Sequence, residues 1–143
     1  MNKVAPYIIK GGNYSDERGG LEFYNDFDMS QIKRVYFTTH FDLKVIRAWQ
    51  GHTIESRWFC SVKGGFHVKL IEIDNWKNPS DELKVLEYKL TAEKQEILYI
   101  PNGFVNGFKA LEVNSKLMIM SNYKLNEIEN DQIRFDQNKW IKW

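Results

Sequence analysis

Short apolar or alternating runs, each broken by Gly, Asn, Asp or Pro, dominate this chain, and the spacing of an amphipathic helix is nearly absent. The pattern predicts strands over residues 4–10, 21–27, 33–39, 44–50, 57–62, 66–73, 84–90, 96–100, 107–111 and 116–123. Lys63-Gly64-Gly65, between the fifth and sixth of these, reads as a tight hairpin turn. Asn78-Pro79-Ser80-Asp81 marks a longer loop over 75–81, and Pro101-Asn102-Gly103 supplies another turn. From Asn126 the chain becomes polar, with room for a short helical turn before Trp140 and Trp143. On the sixth strand Phe66, Val68 and Leu70 share one face, the expected core side, so His67 and Lys69 point the other way. So many strands in so short a chain need a barrel or sandwich to hide their edges.

Composition narrows the class further. The 143 residues fall within the size of one domain, and no linker, internal repeat or low-complexity stretch divides them, so one domain over 1–143 is expected. Aromatic residues reach 15%, enough to serve both as core filler and as walls of a ligand cleft. Twenty basic and 19 acidic residues are interspersed, for a net charge of +1, and no basic stripe points to a nucleic acid. Cys60 is the single cysteine; a lone thiol makes no internal disulfide and is consistent with a reducing cytoplasm. Its place on the fifth strand suggests a small buried residue rather than a nucleophile. The opening MNKVAPYIIKGG is too short in apolar residues for a signal peptide, and no run is long enough to cross a bilayer. The expectation is a cytoplasmic protein with neither a membrane nor a nucleic-acid partner.

Four segments then carry a family resemblance. Asp16-Glu17-Arg18-Gly19-Gly20, with Glu22, is similar to a D-x-R-G opening. Val45-Ile46-Arg47-Ala48-Trp49-Gln50-Gly51-His52 is similar to V-x-R-G-x-H and R-x-x-H-x-H strands. Leu98-Tyr99-Ile100-Pro101-Asn102-Gly103-Phe104-Val105-Asn106-Gly107-Phe108 looks very like L-Y-I-P-x-G-F-x-H-G-F. Ser121-Asn122-Tyr123, then Ile133-Arg134-Phe135-Asp136 and Trp143, resembles the ending. In this order they resemble the cupin-type enzymes of deoxysugar biosynthesis, the dTDP-4-dehydrorhamnose 3,5-epimerases and the smaller dTDP-4-keto-6-deoxyglucose 3,4-ketoisomerases. The resemblance implies an all-β, double-stranded β-helix (a jelly roll of the RmlC-like cupin type). It also implies an isomerase acting on a nucleotide-linked 4-keto-6-deoxy sugar, with dTDP as the expected nucleotide, in surface-polysaccharide or deoxysugar biosynthesis.

Two positions depart from the family pattern. Gln50 stands at the histidine of R-x-x-H, and Asn106 at the histidine of G-F-x-H-G-F. Glutamine has no group that titrates near neutral pH, which leaves His52, matching the second histidine of H-x-H, as the candidate base. Regular alternation would put Ala48, Gln50 and His52 on one side of the strand, and Arg47 on the other unless a bulge intervenes. By resemblance Tyr123 is the candidate acid and Arg57 the cation that holds the enolate. Arg18 and Arg47 then contact the diphosphate, Gln50 and Asn106 orient substrate, and Glu22 touches the base or a neighbouring subunit. One imidazole with Glu55 makes a poor transition-metal site, so no metal or other cofactor is expected. The competing reading is a non-catalytic cupin that binds a nucleotide sugar or a partner enzyme. A homodimer is implied by resemblance, with residues 4–9 available to cover a neighbour's sheet edge.

Overall fold

The computed structural model describes residues 4–143. Twelve strands form there: β1 Tyr7–Lys10, β2 Gly12–Asp16, β3 Gly19–Phe23, β4 Arg34–His40, β5 Ile46–Gly51, β6 Arg57–Lys63, β7 Gly65–Glu72, β8 Val85–Thr91, β9 Glu96–Ile100, β10 Phe104–Ala110, β11 Ser115–Ser121 and β12 Ile133–Arg134. One sheet runs β1-β9-β6-β11-β4, a second runs β12-β5-β10-β7-β8, and β2 and β3 form a separate hairpin. Every pairing is antiparallel. The result is an all-β jelly roll of the cupin type.

The two large sheets pack face to face around Phe59, Phe66, Leu70, Leu98, Leu117 and Phe108. Full burial of each such side chain stabilises the fold by about 1.5–3 kcal/mol. Phe66, Val68 and Leu70 point into this core, as their alternation predicts, while His67 and Lys69 meet Glu87 on the outer side. Both sheets also carry a covered outer face. Residues Tyr24, Phe27 and Ile32 pack over Trp58, Cys60, Ile97 and Met120. Across the molecule, Phe135, Trp140 and Trp143 of the tail pack over Trp49, Ile71 and Val105. Gly107 permits that docking, because a Cβ there would lie 2.6 Å from Trp143 Cζ2.

Several sequence expectations change. Lys63-Gly64-Gly65 is a corner between sheets and no hairpin: β6 pairs with β9 and β11, and β7 with β8 and β10. Gly64, at φ +65°, makes the change of direction that a side-chain-bearing residue rarely adopts. The first strand starts at Tyr7, after Pro6, whose nitrogen has no hydrogen to give a ladder. It pairs with β9 of its own chain through Tyr7–Tyr99 and Ile9–Ile97, leaving its other edge unpaired. The strand expected over 21–27 instead ends at Phe23 and belongs to the hairpin with β2. The helical turn of the tail is a 3-10 turn at Leu125–Glu127, and the short strand β12 follows it.

Candidate active site

A cavity of about 280 Å³ lies between the sheets where β4, β6 and β11 face β5, β10 and β12. A β-bulge decides which side chains of β5 reach it. Asn106 pairs with Gln50, yet Phe108 pairs with Arg47, so three steps along β5 match two along β10. Residues directly opposite in an antiparallel pair share a face, and Asn106 and Phe108 share one by alternation. Arg47 and Gln50 therefore point the same way, into the cavity. Ala48 and Trp49 also border the cavity, but the Ala48 Cβ is on the other side: it approaches Gly107 and packs with the Trp49 cluster under the tail. The single face expected for Ala48, Gln50 and His52 is thus broken by the bulge at Ala48. The register slip that regular alternation could not supply is what admits Arg47.

Tyr36 and Thr38 from β4 and Arg57 from β6 form the facing wall. Arg57 is buried and held on three sides. Its Nε donates to Glu55 Oε2 at 2.9 Å and its Nη2 to Oε1 at 3.3 Å, while Nη1 donates to the Tyr36 hydroxyl at 2.7 Å. Arg34 Nη2 also donates to Glu55 Oε2, at 3.3 Å. One fully buried carboxylate thus holds two guanidinium groups. Tyr36 accepts from Arg57 and donates to no described residue, so its proton is free for a ligand. Sequence reasoning passed over Tyr36; the only signal was its alternation with Thr38 and His40 on a strand of unknown facing.

His52 sits behind this wall and does not line the cavity. Its Nδ1 lies 2.7 Å from the Asp131 carbonyl and 3.4 Å from Glu55 Oε1. A carbonyl only accepts, so Nδ1 carries the hydrogen and Nε2 the lone pair. Burial, and next the Arg57 charge, push the imidazole below its ordinary pKa against the opposing pull of Glu55 and Asp131, which keeps it neutral. Nε2 is buried and has no hydrogen-bond partner. Asp131 fixes the turn that carries His52: its carboxylate accepts from the Thr53 N–H and hydroxyl, the Ile54 N–H and the Glu55 N–H, all at 2.7–2.9 Å. Burial raises the Asp131 carboxyl, but the Thr53 hydroxyl and these N–H groups outweigh it and hold the group below its usual value.

His52, Glu55 and Asp131 bring one possible ligand atom each within 4.8 Å of one another. Their donor atoms are already committed, Asp131 to four donors and Glu55 to two arginines. A cation at that point would also face both guanidinium charges. The cluster does not fit a metal ion.

The remaining candidates lie elsewhere on the chain. Arg18 is at the tip of the β2–β3 hairpin, 82% exposed and paired with Asp16 at 2.6 Å, and Glu22 is exposed on β3. Neither lines the cavity, because the hairpin forms a sheet of its own. Tyr123 follows β11, half-buried, with Lys33 Nζ 5.7 Å from its ring centroid, and is also absent from the cavity lining. In its place the structure brings in Arg134, opposite Gln50 on β12. No element was expected there from sequence, since two residues carry no periodicity.

No family model matches the chain, and no curated protein sequence is similar to it. Solved structures are. The dTDP-4-dehydrorhamnose 3,5-epimerase of Bacillus anthracis, with TDP and pyrophosphate bound, superposes at TM-score 0.74 and 14% identity, over 93% of this chain and 79% of that one. A 3,4-ketoisomerase from Helicobacter canadensis gives 0.71 and 18%, over 93% and 92%. A histidine-to-asparagine mutant of the 3,4-ketoisomerase of Thermoanaerobacterium thermosaccharolyticum, in complex with TDP-4-keto-6-deoxyglucose, gives 0.67 and 24%, over 91% and 87%. The chain has the cupin fold of these sugar-nucleotide enzymes. Within that cupin, the position of the third sequence segment is now physical: Pro101-Asn102-Gly103 carries the chain from β9 in one sheet to β10 in the other, and delivers Asn106 to the cavity. Among the described residues no helix is long and apolar enough to cross a membrane.

Proposed function

We propose that this protein isomerises a nucleotide-linked 4-keto-6-deoxy sugar by moving a proton on a carbon next to the ketone. The observation that carries the reading is the wall formed by Tyr36 and Arg57, a free hydroxyl proton and a fixed guanidinium facing one small cavity. On this reading the substrate reaches past the Arg57 wall to His52, whose unpartnered Nε2 takes the C3 proton, and the electron pair moves toward C4 so that the former ketone oxygen becomes an enolate. Arg57 holds that charge, preorganised by Glu55, at no cost of reorganisation during the step. Tyr36 gives its proton to the enolate oxygen. Protonated His52 returns its proton to C4 while the O3 hydrogen passes to the Tyr36 phenolate, which leaves the ketone at C3 and restores both residues. Gln50 and Asn106 orient the sugar hydroxyls. Tyr36 takes the acid role that the resemblance gave to Tyr123.

A second reading is favoured by one observation: His52 does not line the cavity, and neutral Gln50 and Asn106 do. On that reading the protein binds a nucleotide sugar, or a partner enzyme, without turning it over. Proton NMR with dTDP-4-keto-6-deoxyglucose in heavy water separates the two. Deuterium uptake at C3 and a relocated ketone, reduced by about 10²–10⁴-fold in His52→Asn, support the isomerase. Uptake at both C3 and C5 moves the activity to epimerisation. Ligand line broadening without exchange selects the binder. Exchange that survives His52→Asn unchanged removes His52 from the reaction.

The working assembly in this proposal is a homodimer in the cytoplasm. Its support is the projecting β2–β3 hairpin, whose Arg18 and Glu22 have no site to serve within their own chain. They remain the candidates for a neighbour's diphosphate and base. Sedimentation of a variant with Val4 and Ile8 made charged tests whether the β1 edge takes part; an unchanged dimer places the interface elsewhere.

A further inference from the structure

We infer that Arg134 is a second phosphate-binding residue, forming with Arg47 a two-arginine clamp at the cavity mouth that takes the diphosphate of the ligand; the inference rests on the nucleotide-sugar reading above. Strand β12 pairs antiparallel with β5, with Arg134 opposite Gln50 and Ile133 opposite Gly51. Arg134 therefore shares the face of Gln50, and the bulge in β5 puts Arg47 on that face as well. Two guanidinium groups from different strands thus flank Gln50 at the rim of one cavity.

Both of these arginines are exposed, and neither has a hydrogen-bond or ion-pair partner among the described residues. Nearby Arg57, by contrast, has its charge met by Glu55. No aspartate or glutamate lines the cavity, so two uncompensated positive charges stand at its entrance. Planar guanidinium groups bind phosphate oxygens through paired N–H donors, and two of them match the two charged groups of a diphosphate. At about 280 Å³ the cavity is small beside the sites that enclose whole drug-sized ligands. It takes the sugar end of a nucleotide sugar and leaves the diphosphate at the rim, where the clamp stands. The direction of the ligand follows: sugar inward toward Tyr36 and Arg57, nucleoside outward across β12. The C-terminal segment, docked through Trp140 and Trp143, is then part of the site and more than a cover for the outer sheet face.

The test is calorimetric titration of the full chain with TDP, with inorganic pyrophosphate and with thymidine, at two salt concentrations. Arg134→Gln is expected to weaken TDP and pyrophosphate at least tenfold, to lower the salt dependence of binding, and to leave thymidine unchanged. In turnover the same variant raises KM and leaves kcat within twofold, a split that mere loosening of the fold would not give. Arg134→Lys recovers part of the affinity. Lys89→Gln, which removes an equal charge from β8 on the far edge of the sheet, leaves it intact. If the wild type binds TDP and Arg134→Gln binds it equally well, the clamp is wrong and the nucleotide-sugar reading stands. If the wild type binds neither TDP nor pyrophosphate, the nucleotide-sugar reading falls and the clamp with it.

Discussion

Arg57 and the pair Arg47 and Arg134 border the same cavity, yet the protein treats their charges in opposite ways. Arg57 is buried and held by a carboxylate and a phenol, in hydrogen bonds of 2.7–3.3 Å. The rim pair is exposed and unpaired. A buried charge must be matched within the fold, because desolvation is otherwise far larger than any gain from packing. At the rim, water serves as the partner until a ligand arrives. The contrast assigns geometry to the interior and attraction to the entrance. It also means that the two regions fail differently.

Breaking the interior should have the largest effect. Glu55→Ala strands two guanidinium groups, and the loss of a buried partner lowers unfolding stability by about 3–5 kcal/mol, measured by urea denaturation at pH 7.5. Asp131→Ala comes next. Removal of a charged acceptor of four hydrogen bonds is expected to lower stability by about 2–3 kcal/mol in the same assay. Because the folded Asp131 carboxyl lies below its ordinary value, its contribution is complete above about pH 3.9 and is lost as pH falls through the lower folded value.

The histidines respond in the same pH direction, over a higher pH range. His40, beneath Thr38 on β4, is buried between Phe66 and Phe108 with neither ring nitrogen hydrogen-bonded. Burial, then the Arg47 charge, push it below its ordinary value, as burial and Arg57 do for His52. The unfolded chain therefore binds more protons, so the stability of keeping these rings neutral is complete above about pH 6.5 and declines as pH falls below it. His40→Leu removes two unsatisfied polar atoms. It should be within about 1 kcal/mol of wild type at pH 8, or more stable, and lose less stability between pH 7 and pH 5. A steeper acid loss would show that His40 has a partner in solution.

The smallest effect belongs to the rim. Arg47→Gln is expected to change stability by no more than about 0.5 kcal/mol, since no contact within the fold is removed. Raising salt should weaken TDP binding by the wild type, while leaving the Glu55-dependent stability nearly intact. A destabilised Arg47→Gln protein would erase the distinction between the two regions.

Much of the fold is legible in the residues themselves. Strands such as β6, β9 and β11 follow from apolar runs bounded by turn residues, and the inward Phe66, Val68 and Leu70 from simple alternation. The β2 strand escapes because Gly12, Asn13, Ser15 and Asp16 carry no apolar signal; it is held by backbone pairing with β3. The candidate site was half legible. Arg47, Gln50, Arg57 and Asn106 were singled out from motifs and do meet at one cavity. Arg18, Glu22, His52 and Tyr123 were singled out the same way and do not line it, while Tyr36 arrives without any motif and Arg134 from a motif that gave it no role.

The sequence by itself determined which segments are strands, which faces are apolar, and which polar residues recur in the order of a sugar-nucleotide cupin. Those are local properties, set by side-chain periodicity and turn chemistry along a few residues. Only the tertiary structure decided that Gly64 turns a corner between sheets, that a bulge brings Arg47 beside Gln50, and that Glu55 pairs with both Arg57 and Arg34. Those depend on strand partners far apart in the chain, Asn106 with Gln50 and Gln50 with Arg134. A one-residue change of register turns a side chain to the opposite face, and no local pattern records the register.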